Sequence, residues 1–245
     1  MQPGRRLGTG KRASVFAYGG DALKLYSPGQ GKAEVFREAA TLALVESLGL
    51  PAPRVRSAGQ FDSAWGLAMS RAEGETFAVQ LAGDPARRDE IIDAMVALHR
   101  NIHGHSLRQL ALLSGRLRDN IARAPALDAA VRRRLLEAVA AMPVDMALCH
   151  GDFHPMNIVG PIGNAVVIDW LDAMSGPLQA DVARSYLLMA LVVPELADAY
   201  VDRYAAVSQS TRDALLAPLP VIAAARLVED VPEEIPRLLA WAATV

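Results

Sequence analysis

Cysteine is almost absent from this 245-residue chain, where Cys149 stands alone. One thiol forms no intrachain disulfide, which removes the usual reason to expect secretion. Long apolar runs are missing too. The longest, residues 187–193, falls well short of the roughly 20 residues that a membrane span needs. No apolar run follows the Arg5-Arg6 pair, so no signal peptide is expected. A strong charge of either sign is also lacking: 25 Lys+Arg stand against 27 Asp+Glu, for a net charge of −2. Such a balance gives no electropositive field for nucleic acid. The one basic run, residues 132–134, lies in an Ala/Leu-rich stretch of helical period and reads as a solvated helix face. Internal repeats and low-complexity segments are absent. The expectation is a soluble, cytoplasmic protein with no membrane and no nucleic-acid partner, its oligomeric state left open.

What is present is an apolar majority, 52% of residues, enough to bury a sizeable core. Residues 14–18, Gly19-Gly20-Asp21 and residues 22–26 read as strand, tight turn and strand. A helix is expected over residues 33–48, closed by Gly49 with Pro51 beyond it. A second strand pair is expected at residues 54–58 and 65–70. Asp84-Pro85 opens a helix to His103, with Ile91, Met95 and Leu98 along one face, and a further helical region covers residues 107–141. Two short apolar runs then interrupt the helices, at residues 146–149 and 165–168, before the chain turns helical again from Pro177. The layout is a small β-rich lobe, residues 1–71, and a larger, mainly helical lobe, residues 72–245.

Each of the two interrupting runs ends in a polar cluster. The first leads into His150-Gly151-Asp152-Phe153-His154-Pro155-Met156-Asn157, and the second ends at Asp169-Trp170. Asp152 falls on a loop at a strand end, and Asn157 offers a carbonyl oxygen, a hard ligand suited to Mg²⁺. If the two strands pair with each other as a hairpin, Asp169 arrives beside Asn157. Phosphoryl transfer needs such parts: metal ligands against the phosphates and a carboxylate to position the attacking hydroxyl. Aspartates capping loop turns are the bland reading of any one of these residues.

CHGDFHPMNI followed by VIDW resembles the aminoglycoside phosphotransferase and choline kinase superfamily, small-molecule kinases of protein-kinase-like fold. Its pattern is HGDxHxxN, then a hydrophobic residue, Asp and Trp or Phe. The resemblance implies a bilobal α+β architecture, Asp152 as catalytic base, and Asn157 and Asp169 as magnesium ligands. It implies ATP or GTP as phosphoryl donor and a small hydroxylated acceptor: an aminoglycoside-like, choline-like, sugar or amino-alcohol molecule. Met156 departs from the pattern, which often has a small residue there. By the same resemblance residues 69–72, Met69 and Arg71 among them, hold the hinge position for the adenine.

The N-terminal segment supplies the rest. Residues 7–15 follow the glycine-loop pattern of kinases with Gly8 and Gly10, although Ala13 stands in the third glycine place. Glycines let backbone approach phosphates closely, and a glycine-rich hairpin turn is the equal alternative. Lys24 alternates with Leu23 and Leu25, so it faces away from them. Glu38 shares the helical stripe of Leu42 and Val45, and an inward carboxylate calls for a cation. Lys24 is its expected partner, with Glu34 one turn earlier as the backup.

Asp181 lies in the first turn of a helix after Pro177, where the helix dipole favours a carboxylate. In the resembled family an aspartate in this setting braces the catalytic loop, and both readings stand. His99 and His103 are spaced i, i+4, but without the glutamate of HExxH they read as surface or capping histidines rather than zinc ligands. His154 reads as holding loop geometry. The acidic residues Glu229, Asp230, Glu233 and Glu234 include a helix start after Pro232, or else attract a cationic substrate. Two further functions are alternatives: a catalytically silent nucleotide-binding regulator, and a metal-dependent phosphohydrolase built on His150, Asp152, His154 and Asp169.

Overall fold

The computed structural model describes residues 2–29 and 31–245. The chain divides into two compact units: residues 1–85 with 155–171, and residues 86–154 with 172–245. A single break after residue 71 therefore does not delimit them, because the segment around Asn157 and Asp169 belongs with the N-terminal residues.

In the first unit an antiparallel sheet runs in the order β1-β2-β3-β5-β4, formed by β1 (Arg6–Thr9), β2 (Ala13–Tyr18), β3 (Asp21–Tyr26), β4 (Val55–Phe61) and β5 (Ala64–Ser70). β1 was not foreseen as a strand. The β2–β3 turn follows its glycines, with Gly19 taking φ 62°. Lys24 sits opposite Val15 on β2 and Leu67 on β5, so it occupies the central strand of five. Helix α1 (Lys32–Ser47) ends before Gly49, whose φ of 71° suits a residue without Cβ. Its buried residues Val35, Glu38, Leu42 and Val45 form one stripe, and the helix packs on β4 and β5.

Two further pieces complete this unit, α2 (Phe77–Gly83) and a hairpin of β7 (Ile158–Val159) with β8 (Val166–Val167). The hairpin is strapped in place by backbone bonds: Val167 N–H to Pro51 O at 2.8 Å, and Gly160 N–H to Glu75 O at 3.0 Å. Gly74 and Gly160 approach so closely that a Cβ on Gly74 would lie 3.0 Å from the Gly160 Cα.

The second unit is mainly helical: α3 (Arg88–His103), α4 (Leu113–Arg123), α5 (Ala129–Ala140), α6 (Leu178–Ala190), α7 (Pro194–Ser208), α8 (Arg212–Leu216), α9 (Leu219–Arg226) and α10 (Ile235–Ala242). The helix expected from Asp84 begins with a 3₁₀ turn, Pro85–Arg87, and becomes α-helical at Arg88. The single helical region expected over residues 107–141 is two helices. Pro125 forbids helical backbone at Ala124, whose ψ is 111°, and Asp128 caps the second helix by accepting from Ala130 N at 2.8 Å. Leu117, Ile121, Leu135, Leu187, Ile222 and Leu238 mark the core these helices share.

The strand pairing also differs from expectation. β6 (Ala147–Cys149) pairs antiparallel with β9 (Met174–Gly176), and β8 pairs with β7, so the two apolar runs do not pair with each other. Each finds a two- or three-residue partner too short to carry a periodic signal.

Candidate active site

Lys24 is nearly buried and lies between two carboxylates of its own unit: Nζ is 2.8 Å from Glu38 Oε1 and 2.9 Å from Asp169 Oδ1. The strand alternation and the α1 stripe thus bring together the pair they were expected to bring together. Glu34 is occupied elsewhere, its carboxylate accepting the Gly31 N–H at 2.9 Å at the start of α1. Burial disfavours the Lys24 ammonium, but Glu38 and Asp169 together outweigh it and hold the lysine above its ordinary pKa. A residue that sequence reasoning missed joins them: the Tyr26 hydroxyl donates to Glu38 Oε2. Tyr26 lies two positions after Lys24 on β3, hence on the same face, and that spacing was the available signal. Burial and the Glu38 carboxylate push the Tyr26 hydroxyl far above its usual range, so it stays a donor.

Asp169 reaches Lys24 from the turn after β8. It adopts φ 64°, a left-handed backbone that aspartate tolerates but that still costs about 1–3 kcal/mol. Asn157 ends a 3₁₀ turn directly before β7, and Ile168 N–H donates to its carbonyl at 2.9 Å. The β7–β8 hairpin therefore brings the neighbourhoods of Asn157 and Asp169 together by a different pairing from the one expected. Trp170, fully buried, donates from Nε1 to Val167 O at 2.8 Å and fixes the turn that carries Asp169. The amide oxygen of Asn157 and the carboxylate of Asp169 are both hard oxygen donors, and that donor chemistry fits magnesium.

On the β1–β2 hairpin, Gly8 faces Val15, and the Gly10 N–H donates to Ala13 O at 2.8 Å. A Cβ on Gly8 would meet nothing within 4 Å, so the protein's own packing does not require glycine there. Met69 is buried on β5, paired with Ala22 and Val55; Arg71, just beyond the strand, lies 3.2 Å from Glu73.

Asp152 belongs to the second unit, on the loop that leaves β6. Asp181, buried in the first turn of α6, grips that loop: Oδ2 accepts from His150 N at 2.6 Å and Oδ1 from Gly151 N at 2.8 Å. The helix-terminus and bracing readings of Asp181 thus both hold. Gly151 adopts φ 79°, and a Cβ there would collide with the Asp172 carbonyl oxygen. Asp152 N–H donates to His150 Nδ1 at 3.1 Å, and His154 Nε2 is 3.5 Å from Asp152 Oδ2. Burial would raise the Asp152 pKa, but His154, Arg184 and His150 outweigh it and hold the carboxyl far below the usual carboxylate range.

His99 and His103 are neither surface nor capping residues. Both are buried, with Nε2 at 2.9 Å and 3.2 Å from Asp181 Oδ2. Their Nδ1 atoms meet Tyr200 OH at 2.6 Å and Tyr204 OH at 2.7 Å. A carboxylate accepts only, so both imidazoles donate to it from Nε2, and the neutral His99 accepts the Tyr200 proton on Nδ1. Although this triad has the composition of a metal site, its facing atoms already satisfy one another. Burial and His103 push the His99 pKa down to about 3, which keeps it neutral. The signal lay in α3 itself: Ile91, Met95, His99 and His103 follow at intervals of four, so the histidines continue an inward stripe.

The model of a family described as the phosphotransferase enzyme family matches residues 5–217. The chain belongs to that family and is an enzyme that transfers phosphoryl groups. Among solved structures it is similar to an aminoglycoside-3'-phosphotransferase of type VIII, at 20% identity and a TM-score of 0.65 over 89% of this chain and 90% of that one. It is similar too to a thermostable mutant of aminoglycoside phosphotransferase APH(4)-Ia in ternary complex with AMP-PNP and hygromycin B, at 16% identity and a TM-score of 0.72 over 98% of this chain and 92% of that one. Aminoglycoside phosphotransferase APH(3'')-Id from Streptomyces rimosus gives 18% identity and a TM-score of 0.61 over 89% of this chain and 92% of that one. These likenesses show the kinase-like α+β fold. No curated protein matches the chain.

Proposed function

We propose that this enzyme is a small-molecule kinase, moving the γ-phosphoryl group of ATP or GTP to a hydroxyl of an aminoglycoside-like, choline-like, sugar or amino-alcohol acceptor. The observation that carries the reading is the buried Lys24 held between Glu38 and Asp169. An ammonium fixed on a central strand is suited to the α/β phosphates of a nucleotide. The bare backbone at Gly8 and Gly10 suits the close approach of phosphates, and Met69 to Ala72 suits the adenine. Asn157 and Asp169 would hold magnesium, which when bound neutralises phosphate charge. Asp152 accepts the hydrogen bond of the acceptor hydroxyl and takes its proton. Its depressed pKa makes it a weak base that stays ionised at working pH, so it orients the hydroxyl first and takes the proton as the O–P bond forms.

The test is nucleotide consumption by the purified chain against a panel of hydroxylated antibiotics and metabolites, with transfer followed by ³¹P NMR. A phosphorylated alcohol is the expected product. Phosphoester hydrolysis without nucleotide would point instead to a phosphohydrolase, and nucleotide binding without turnover to a silent regulator. Asp152→Asn is expected to lower kcat by about 10²–10⁴-fold and leave nucleotide affinity nearly unchanged. A loss below tenfold removes Asp152 from the role.

A further inference from the structure

Arg184 follows Asp181 by three residues on α6, so the two share a helix face. Asp181 takes the Gly151 N–H at 2.8 Å, and Arg184 Nε donates to the carbonyl of the same residue. The third side of Gly151 is closed by the Asp172 carbonyl, which leaves no room for a Cβ. Asp172 is itself held by Arg116, whose Nη1 lies 2.7 Å from Oδ1. Gly151 is thereby fixed at its N–H, its Cα and its carbonyl, and the next residue is Asp152.

Arg184 is anchored from behind. Its Nη2 lies 3.8 Å from Glu229 Oε1, and that oxygen also accepts from Arg226 Nη1 at 3.0 Å. Arg226 in turn grips Glu234 with two bonds, Nε to Oε2 at 2.7 Å and Nη2 to Oε1 at 2.9 Å. Glu229 and Glu234, two members of the acidic group near the C-terminus, are thus spent on arginines. The order of the chain of contacts is Glu234, Arg226, Glu229, Arg184, Gly151, and it runs from the start of α10 to the loop of Asp152.

Resting on the kinase reading above, we infer that Arg184 is a positioning residue for phosphoryl transfer. It locks the carbonyl side of Gly151 so that Asp152 is presented in one orientation, and Glu229 and Arg226 hold it in that task. The guanidinium suits the role because it donates to the carbonyl from Nε while Nη2 faces a carboxylate, and a lysine has one donor head for both. Nucleotide binding does not draw on it, so its loss falls on the rate of transfer.

The test compares R184M, R184K and E229Q with the unchanged enzyme, using Mg·ATP with water as acceptor and amide hydrogen exchange of residues 150–152. R184M is expected to lower kcat by between about tenfold and 10²-fold, as a displaced catalytic group does, with KM for ATP held within about twofold. The loop amides are expected to exchange at least about tenfold faster. R184K recovers part of both effects, and E229Q shows a smaller loss in the same direction. Unchanged kcat in R184M overturns the inference. So does a rate loss without faster loop exchange, or full rescue by lysine. Should R184M fail to fold, R184K and E229Q decide by the same two readouts. Absence of ATP turnover with water leaves the kinase reading to the acceptor panel above, and loop exchange then decides whether Arg184 holds the loop.

Discussion

Two clusters of polar groups stand out in this chain, and they are built to opposite plans. In the first unit, Lys24, Glu38, Tyr26 and Asp169 combine one cation with two carboxylates, and the Asp169 side chain remains 45% exposed. In the second, Asp181 is 1% exposed and accepts from two backbone amides and two imidazoles, each backed by a tyrosine. On the kinase reading proposed above, the open cluster would exchange partners, Lys24 leaving Asp169 for a phosphate and Asp169 turning to a metal. In the closed one the buried Asp181 carboxylate already accepts four hydrogen bonds, so it is built to hold. A phosphoryl-transfer enzyme needs both, since the ligand's charges must be met by groups free to move, whereas the group that orients the hydroxyl must not wander.

The sharpest way to break the contrast is to remove the centre of the closed cluster. Asp181→Ala leaves two imidazoles and the His150 and Gly151 amides without their acceptor. The expected cost is about 3–5 kcal/mol of stability, read by denaturant unfolding, with activity lost alongside. A loss under about 1 kcal/mol would mean that the network is not the brace its geometry describes.

In the open cluster the expected loss is functional first. Lys24→Met is expected to lower kcat/KM by about 10²-fold, and Glu38→Gln by less, through freeing the lysine. Because both disable one unit, the double variant should be little worse than the more damaged single one. Multiplying effects would show that the two residues act separately.

Acid titration distinguishes the clusters again. His99 is neutral in the fold, with its pKa near 3, and is protonated near 6.5 when unfolded. The unfolded chain therefore binds the extra proton between those values, and stability falls as pH drops through that window. The slope approaches about 1.4 kcal/mol per pH unit. His99→Asn is expected to flatten that part of the stability curve measured by urea unfolding, at lower stability overall. An unchanged slope would mean that His99 is charged in the fold.

How much of this was legible follows from which residues carry period. Lys24 and Glu38 lie on a six-residue strand and a sixteen-residue helix, and alternation and stripe sufficed to pair them. β7 and β9 have two and three residues, too few for any period, so the pairing of the apolar runs was misjudged. The histidines were misjudged for a different reason. Their i, i+4 spacing is that of a zinc pair without its glutamate, which masks the inward stripe they share with Ile91 and Met95. Tyr200 and Tyr204 repeat the i, i+4 spacing on α7, yet no sequence rule connects residues about 100 positions apart. Arg184 gave no signal at all, because its partner is a backbone carbonyl whose position only the folded loop defines.

The smallest effect belongs to Tyr26, and it tests how far the open cluster depends on being held. Glu38 offers one oxygen to Lys24 and the other to the Tyr26 hydroxyl, which burial and Glu38 keep protonated. Tyr26→Phe removes a single donor and leaves the ion pair intact. The buried Glu38 oxygen then lacks a partner, for an expected loss of about 1–3 kcal/mol in stability. Lys24 keeps both carboxylates, so kcat/KM should fall only a few-fold, well short of the loss in Glu38→Gln. If the two variants lose activity equally, the tyrosine orients the glutamate, and the cluster that looks free to exchange partners is held as firmly at one end as the network around Asp181.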